Sequence, residues 1–124
     1  MAKTILIVDD NAYIRLGLYE LFKRESDFEV CGEAENGKEA IAKALDLHPD
    51  LIVLDLSMPV MNGLEAARQL KRLMPDVPLI MYSLFGDIVE EQARLAGISE
   101  LISKSQPAAI LIKKARSLLY RDAA

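Results

Sequence analysis

Asp50-Leu-Ile-Val-Leu-Asp55 reads as the centre of the fold. Its four apolar residues are consecutive rather than alternating, the pattern of a strand covered on both faces, as in a parallel sheet. Similar short runs lie on either side in the chain: Thr4 to Asp9, Phe28 to Ala34, Val77 to Tyr82 and Ile98 to Ser103. Between them apolar residues recur at helical spacing, as in Ile14, Leu18, Leu21 and Phe22, then Ala40, Ile41, Ala44 and Leu45. Leu64, Ala67, Leu70 and Met74 mark a third helix, and Ile110, Leu111, Leu118 and Leu119 a last one. Asn36-Gly37 reads as the turn behind the second strand, and His48-Pro49 stops the second helix. A fourth helix is expected over Asp87 to Ala96 with Gly97 as its C-cap, and Pro107 suits the first turn of the last.

Five βα units in strict alternation predict an α/β fold, a doubly wound parallel sheet with helices on both faces. The short chain favours the flavodoxin-like strand order 2-1-3-4-5, with a crevice at the carboxyl ends of strands one and three. A length of 124 residues suits one domain, residues 1–124, either standing alone or cut from a longer regulator.

Fifteen basic against nineteen acidic residues give a net charge of -4, which argues against direct nucleic-acid contact. Cys31 is the only cysteine, so an intrachain disulfide is excluded, and its apolar surroundings predict a buried structural thiol. The run Ile5 to Val8 is too short for a signal-peptide core or a membrane span, so a cytoplasmic location without membrane association is expected.

The acidic residues carry the chemistry. Asp9 and Asp10 end strand one and Asp55 ends strand three, so the fold gathers three carboxylates at one crevice. They repel one another and raise one another's pKa values unless a cation is present. A hard divalent ion such as Mg²⁺ answers that need, taking oxygen ligands and keeping several waters. The bland alternative, an acidic residue or Asn11 merely capping the next helix, suits single residues better than the set. Ser83 and Lys104 end strands four and five on the same edge, where a hydroxyl and an ammonium suit phosphoryl oxygens. Phosphoryl transfer needs little more.

Ile-Leu-Ile-Val-Asp9-Asp10, Asp55-Leu-Ser-Met-Pro-Val-Met-Asn-Gly63, Ser83 and Lys104 together resemble the receiver domain of two-component response regulators, across essentially the whole chain. Glu33-Ala-Glu-Asn-Gly-Lys-Glu-Ala40 is similar to the NarL/FixJ-type subfamily, usually followed by a helix-turn-helix output domain. The resemblance implies that Asp55 is the phospho-acceptor and that Asp10, Asp55 and the Ser57 backbone carbonyl hold Mg²⁺, with Asp9 acting through water. It makes Ser83 the switch hydroxyl and Lys104 the phosphate partner, with Pro59 and Gly63 shaping the loop. It implies a sensor histidine kinase or phosphotransfer protein as donor, and a downstream protein target or a second copy as reader. The domain would catalyse only its own phosphorylation and dephosphorylation.

Three positions depart from the family pattern. Leu84 is bulky where a small residue is usual, Leu101 replaces a frequent aromatic, and Ser105 stands where proline often follows the lysine. Leu84 is expected to hinder donor entry, and Phe85 is the nearest aromatic to stand in for the moving ring. His48 is the only histidine and reads as a surface or capping residue, so the donor comes in trans. Met58 and Met61 read as flexible filler rather than a soft-metal site. Two rivals are a phosphorylation-independent interaction module and an aspartyl-nucleophile phosphatase, the latter disfavoured by adjacent carboxylates and the absence of room for a cap domain.

Overall fold

The computed structural model describes residues 1–84 and 90–120. Five parallel strands, β1 (Lys3–Val8), β2 (Phe28–Ala34), β3 (Leu51–Leu54), β4 (Leu79–Ser83) and β5 (Glu100–Ser103), form one sheet in the order β2-β1-β3-β4-β5. Helices α1 (Ala12–Lys23), α2 (Gly37–Leu47), α3 (Gly63–Leu73), α4 (Glu90–Leu95) and α5 (Ala109–Leu119) alternate with them. This is the flavodoxin-like order expected from the sequence.

Side chains of a strand point alternately to opposite faces, and both faces are covered here. Ile5, Ile7 and Val53 share a core with Phe22 of α1 and Leu111 of α5. Leu6, Val8, Ile52 and Leu54 enter the opposite core with Ala40 of α2 and Ala67 and Leu70 of α3. All four β3 residues are buried, which explains their unbroken apolar run. Removing a buried Leu or Ile down to Ala costs about 2–5 kcal/mol. The start of β3 is fixed to β1 by Asp50, whose Oδ2 accepts the backbone N–H of Thr4 at 2.8 Å and its hydroxyl at 3.1 Å.

The His48 and Gly97 helix stops hold as read, while other local readings shift. Asn36-Gly37 is a helix start rather than a separate turn, because Asn36 Oδ1 accepts the N–H of Glu39 and caps α2. His48 ends α2 as an exposed left-handed C-cap with φ 50°. Gly97 (φ 93°) follows α4 in a Schellman turn, with bonds from Ile98 to Ala93 and from Gly97 to Arg94. The regular part of α5 begins at Ala109, two residues after Pro107, and is led in by four-residue turns starting at Pro107 and Ala108. Cys31 is half-buried, not buried, like its neighbours from Val30 to Glu33 on the edge strand β2, where it sits at a bulge between Val30 and Gly32, the partners of Ile5 and Leu6. Part of the expected fourth helix, residues 87–89, lies outside the described residues. Among the described residues, no helix is long and apolar enough to cross a membrane.

Candidate functional site

The sheet's carboxyl edge is polar inside. Among the described residues, the buried polar or charged ones are Asp9, Asp55 and Ser83, all at the ends of strands on this edge. Asp9 follows β1 and turns inward. Its Oδ1 accepts the backbone N–H of Asn11 at 2.9 Å and its Oδ2 accepts Lys104 Nζ at 2.7 Å. Capping of α1 falls to Asn11, whose Oδ1 accepts the N–H groups of Tyr13 and Ile14. Asp10 lies between them, outside the cap and exposed.

Asp55 follows β3, and its N–H donates to the Val8 carbonyl at 2.9 Å, which ties the two strand ends together. Its Oδ1 accepts the Leu56 N–H at 2.9 Å and lies 3.4 Å from Lys104 Nζ. One carboxylate oxygen each from Asp9, Asp10 and Asp55 lies within 4.8 Å of the others. Burial, and then the Asp9 charge, pushes the Asp55 carboxyl above its ordinary pKa despite the opposing pull of Lys104. Burial alone would lower the Lys104 pKa, but its bond to Asp9 and the charge of Asp55 outweigh this and raise it. The ammonium is therefore fully charged near neutral pH.

Ser83 ends β4 and pairs in register with Ser103, the residue before Lys104, and the Lys104 N–H donates to the Ser83 carbonyl at 3.1 Å. The structure thus brings Asp9, Asp10, Asp55 and Lys104 into contact range and sets Ser83 on the adjacent strand end. Ser57 lies in the exposed part of the loop between Asp55 and α3.

That loop closes tightly. The Gly63 N–H donates to the Leu56 carbonyl at 2.7 Å, and a Cβ on Gly63 would sit 2.1 Å from the Asp55 carbonyl oxygen. Asn62 then caps α3 by accepting the Glu65 N–H. Inside the loop the Met61 N–H donates to the Pro59 carbonyl at 2.7 Å, so Val60, with φ 67°, is the centre of a γ-turn of the strained hand. Met58 and Met61 pack partly buried against the core shared by α2 and α3, as filler. Leu84 is 64% exposed, Leu101 is half-buried on β5, and the Ser105 N–H donates to Ser103 Oγ. Phe85 lies outside the described residues.

Sequence reading missed Arg15 and its partner Glu33. Arg15 Nη1 donates to the Asp9 carbonyl at 2.7 Å and Nε to Glu33 Oε1 at 3.1 Å. Nothing in the helical spacing of α1 aims Arg15 at a carbonyl. Only the Asn11 cap, which sets the rotation of the first turn, could have hinted at it.

Comparison with known proteins matches residues 5–116 to the response regulator receiver domain. The chain is 41% identical to the response regulator protein VraR of Staphylococcus aureus over 109 residues, 87% of this chain and 52% of that one. It therefore spans about half the length of the curated relatives it matches. A two-component response regulator of the LuxR family from Aurantimonas sp. SI85-9A1 superposes with a TM-score of 0.91 at 27% identity, over 97% of this chain and 86% of that one. The CheX-CheY-BeF3-Mg complex from Borrelia burgdorferi superposes at 0.87 with 25% identity, over 94% and 88%. With this fold and this acidic edge, the chain belongs to the response regulator receiver domains of two-component signal transduction.

Proposed function

We propose that Asp55 is the phospho-acceptor of this receiver domain and that Asp10, Asp55 and the Ser57 backbone carbonyl hold Mg²⁺, with Asp9 acting through water. The observation that carries the reading is the close gathering of three carboxylates, two of them ion-paired to Lys104. A raised Asp55 pKa works against a carboxylate nucleophile, and a divalent cation reverses that bias. The donor set fits Mg²⁺: all ligands are oxygen, and exposed Asp10 leaves room for the waters this ion keeps. When bound, the ion neutralises charge between the carboxylates and the incoming phosphoryl oxygens.

The donor is a phosphohistidine on a partner sensor histidine kinase or phosphotransfer protein. Its P–N bond breaks as an Asp55 oxygen bonds to phosphorus, and the imidazole leaves with the electron pair. Lys104 pairs with one phosphoryl oxygen and the Ser83 hydroxyl donates to another. Residues 1–124 work as one receiver domain in the cytoplasm, and a downstream protein or a second copy reads the phosphorylated form.

Intact-mass measurement after exposure to acetyl phosphate and Mg²⁺ tests the assignment. One phosphoryl group is expected on the wild type and on Asp50→Asn, and none on Asp55→Asn or in the presence of chelator. A phosphoryl group retained by Asp55→Asn overturns it.

A further inference from the structure

We infer that Arg15 is a positioning residue for the metal-binding face, acting by fixing the peptide unit between Asp9 and Asp10. The inference rests on the reading of Asp10 as a Mg²⁺ ligand. The Asp9 carbonyl and the Asp10 N–H belong to one planar unit. Whatever orients that plane also aims the bond from the Asp10 backbone to its side chain.

The residues on either side of Asp10 are held. The Asp9 N–H donates to the Ala34 carbonyl at 3.0 Å, and the Asn11 N–H donates to Asp9 Oδ1. The plane between Asp9 and Asp10 is set by the 2.7 Å bond from Arg15 Nη1, a charge-assisted bond from a side chain that is 18% exposed. Glu33, at the end of β2, accepts from Arg15 Nε, and its own carbonyl accepts from Lys43 of α2. Three elements therefore converge on one peptide plane beside the metal-binding face.

The Glu33 pairing has a second effect. It neutralises the guanidinium, so Arg15 orients Asp10 without competing with a cation for it. Without Glu33 the guanidinium could turn toward Asp10 as a rival counter-ion. Lysine cannot take over, because one ammonium does not offer the two divergent donors that reach a carbonyl and a carboxylate together.

Mg²⁺ titration of the whole chain, followed by amide chemical shifts and calorimetry without a phosphodonor, tests the role. Arg15→Met is expected to raise the Mg²⁺ Kd about tenfold, the low end for an outer partner of a metal ligand, and to shift the Asp10 amide in the metal-free protein. Glu33→Ala should weaken Mg²⁺ in the same direction, while Glu33→Gln, whose amide oxygen keeps the bond to Nε but supplies no charge, should fall between Glu33→Ala and the wild type. This pair decides the matter if Arg15→Met does not fold. A wild-type Kd in Arg15→Met or in Glu33→Ala overturns the role. Asp10→Asn separates the two readings. If it weakens Mg²⁺ and the Arg15 and Glu33 variants do not, only the positioning role fails. If Asp10→Asn leaves the Kd unchanged, the metal assignment fails and the role falls with it.

Discussion

Replacing Lys104 by methionine keeps most of the apolar stem and removes the charge that holds two buried carboxylates together. At an effective dielectric of about 20, the contacts of 2.7 Å to Asp9 and 3.4 Å to Asp55 correspond to gross attractions of about 6 and 5 kcal/mol. The variant also avoids the cost of desolvating an ammonium, so the net loss is far smaller. Breaking a buried pair costs about 3–5 kcal/mol, and this site opens to solvent at Asp10, so about 3 kcal/mol is expected at pH 7. For a domain of this length that is a fall in melting temperature of roughly 10 °C.

The sign of the pH dependence follows from the carboxylates. Asp55 is raised already in the wild type, so its ionisation works against folding as pH climbs from the unfolded value of 3.8 through the folded one. Losing Lys104 raises it further, so the gap between variant and wild type is full at pH 7 and narrows as acid protonates the cluster. Saturating Mg²⁺ replaces the missing cation. With no ammonium competing for the carboxylates the variant should bind Mg²⁺ with a lower Kd, so at one fixed Mg²⁺ concentration its shift in melting temperature should exceed that of the wild type, about 1.4 kcal/mol for each tenfold difference in Kd. Thermal unfolding by circular dichroism at pH 7 and pH 4, with Mg²⁺ or chelator, reads all of this. A variant as stable as wild type at pH 7, or a gap that does not close in acid, refutes the electrostatic reasoning.

Val60→Gly should stabilise the protein by about 1 kcal/mol in urea unfolding, since relief of the left-handed conformation, about 1–2 kcal/mol, exceeds the added entropy of glycine. The exposed Val60 side chain buries little to set against that gain, and a destabilised Val60→Gly would show the turn is not strained. Leu84→Ala should speed phosphorylation by acetyl phosphate in a mass-resolved time course, and an unchanged rate would show that this exposed side chain does not obstruct the donor. The Arg116 guanidinium bound to Asp27 holds that carboxyl below its usual pKa. Its stabilising effect is present above pH 3.8 and lost as pH falls through the lower folded value, so Asp27→Asn should flatten the acid limb of the stability curve.

The sheet was legible because burial on both faces leaves a direct mark, consecutive apolar residues in β1 and β3. The carboxylates and Lys104 were legible because strand ends in this topology converge, so position along the chain stands in for position in space. Side-chain partners that depend on helix rotation were not. Arg15 reads as one more polar residue on an amphipathic helix until the Asn11 cap fixes where it points. The half-exposure of Cys31 was hidden because the edge place of β2 in the sheet leaves no mark in the strand's own composition. Asn36-Gly37 was ambiguous because the same dipeptide serves a tight turn and a capped helix start, and only the bond to Glu39 decides.

The closure of the loop after Asp55 at Gly63 divides this region of the chain into two regimes of tolerance. The Asp55 carbonyl and the Gly63 backbone touch with no room for a methyl group, so any larger residue at 63 moves Asp55 itself. Ser57, Pro59 and Val60, exposed between them and clear of the Asn62 cap, hang from a fastened neck. Side-chain changes there alter what the site presents to solvent and to an approaching donor while Asp55 stays in place. A receiver built this way can change what its outer rim offers a partner through a handful of outward-facing residues, without renegotiating the position of Asp55.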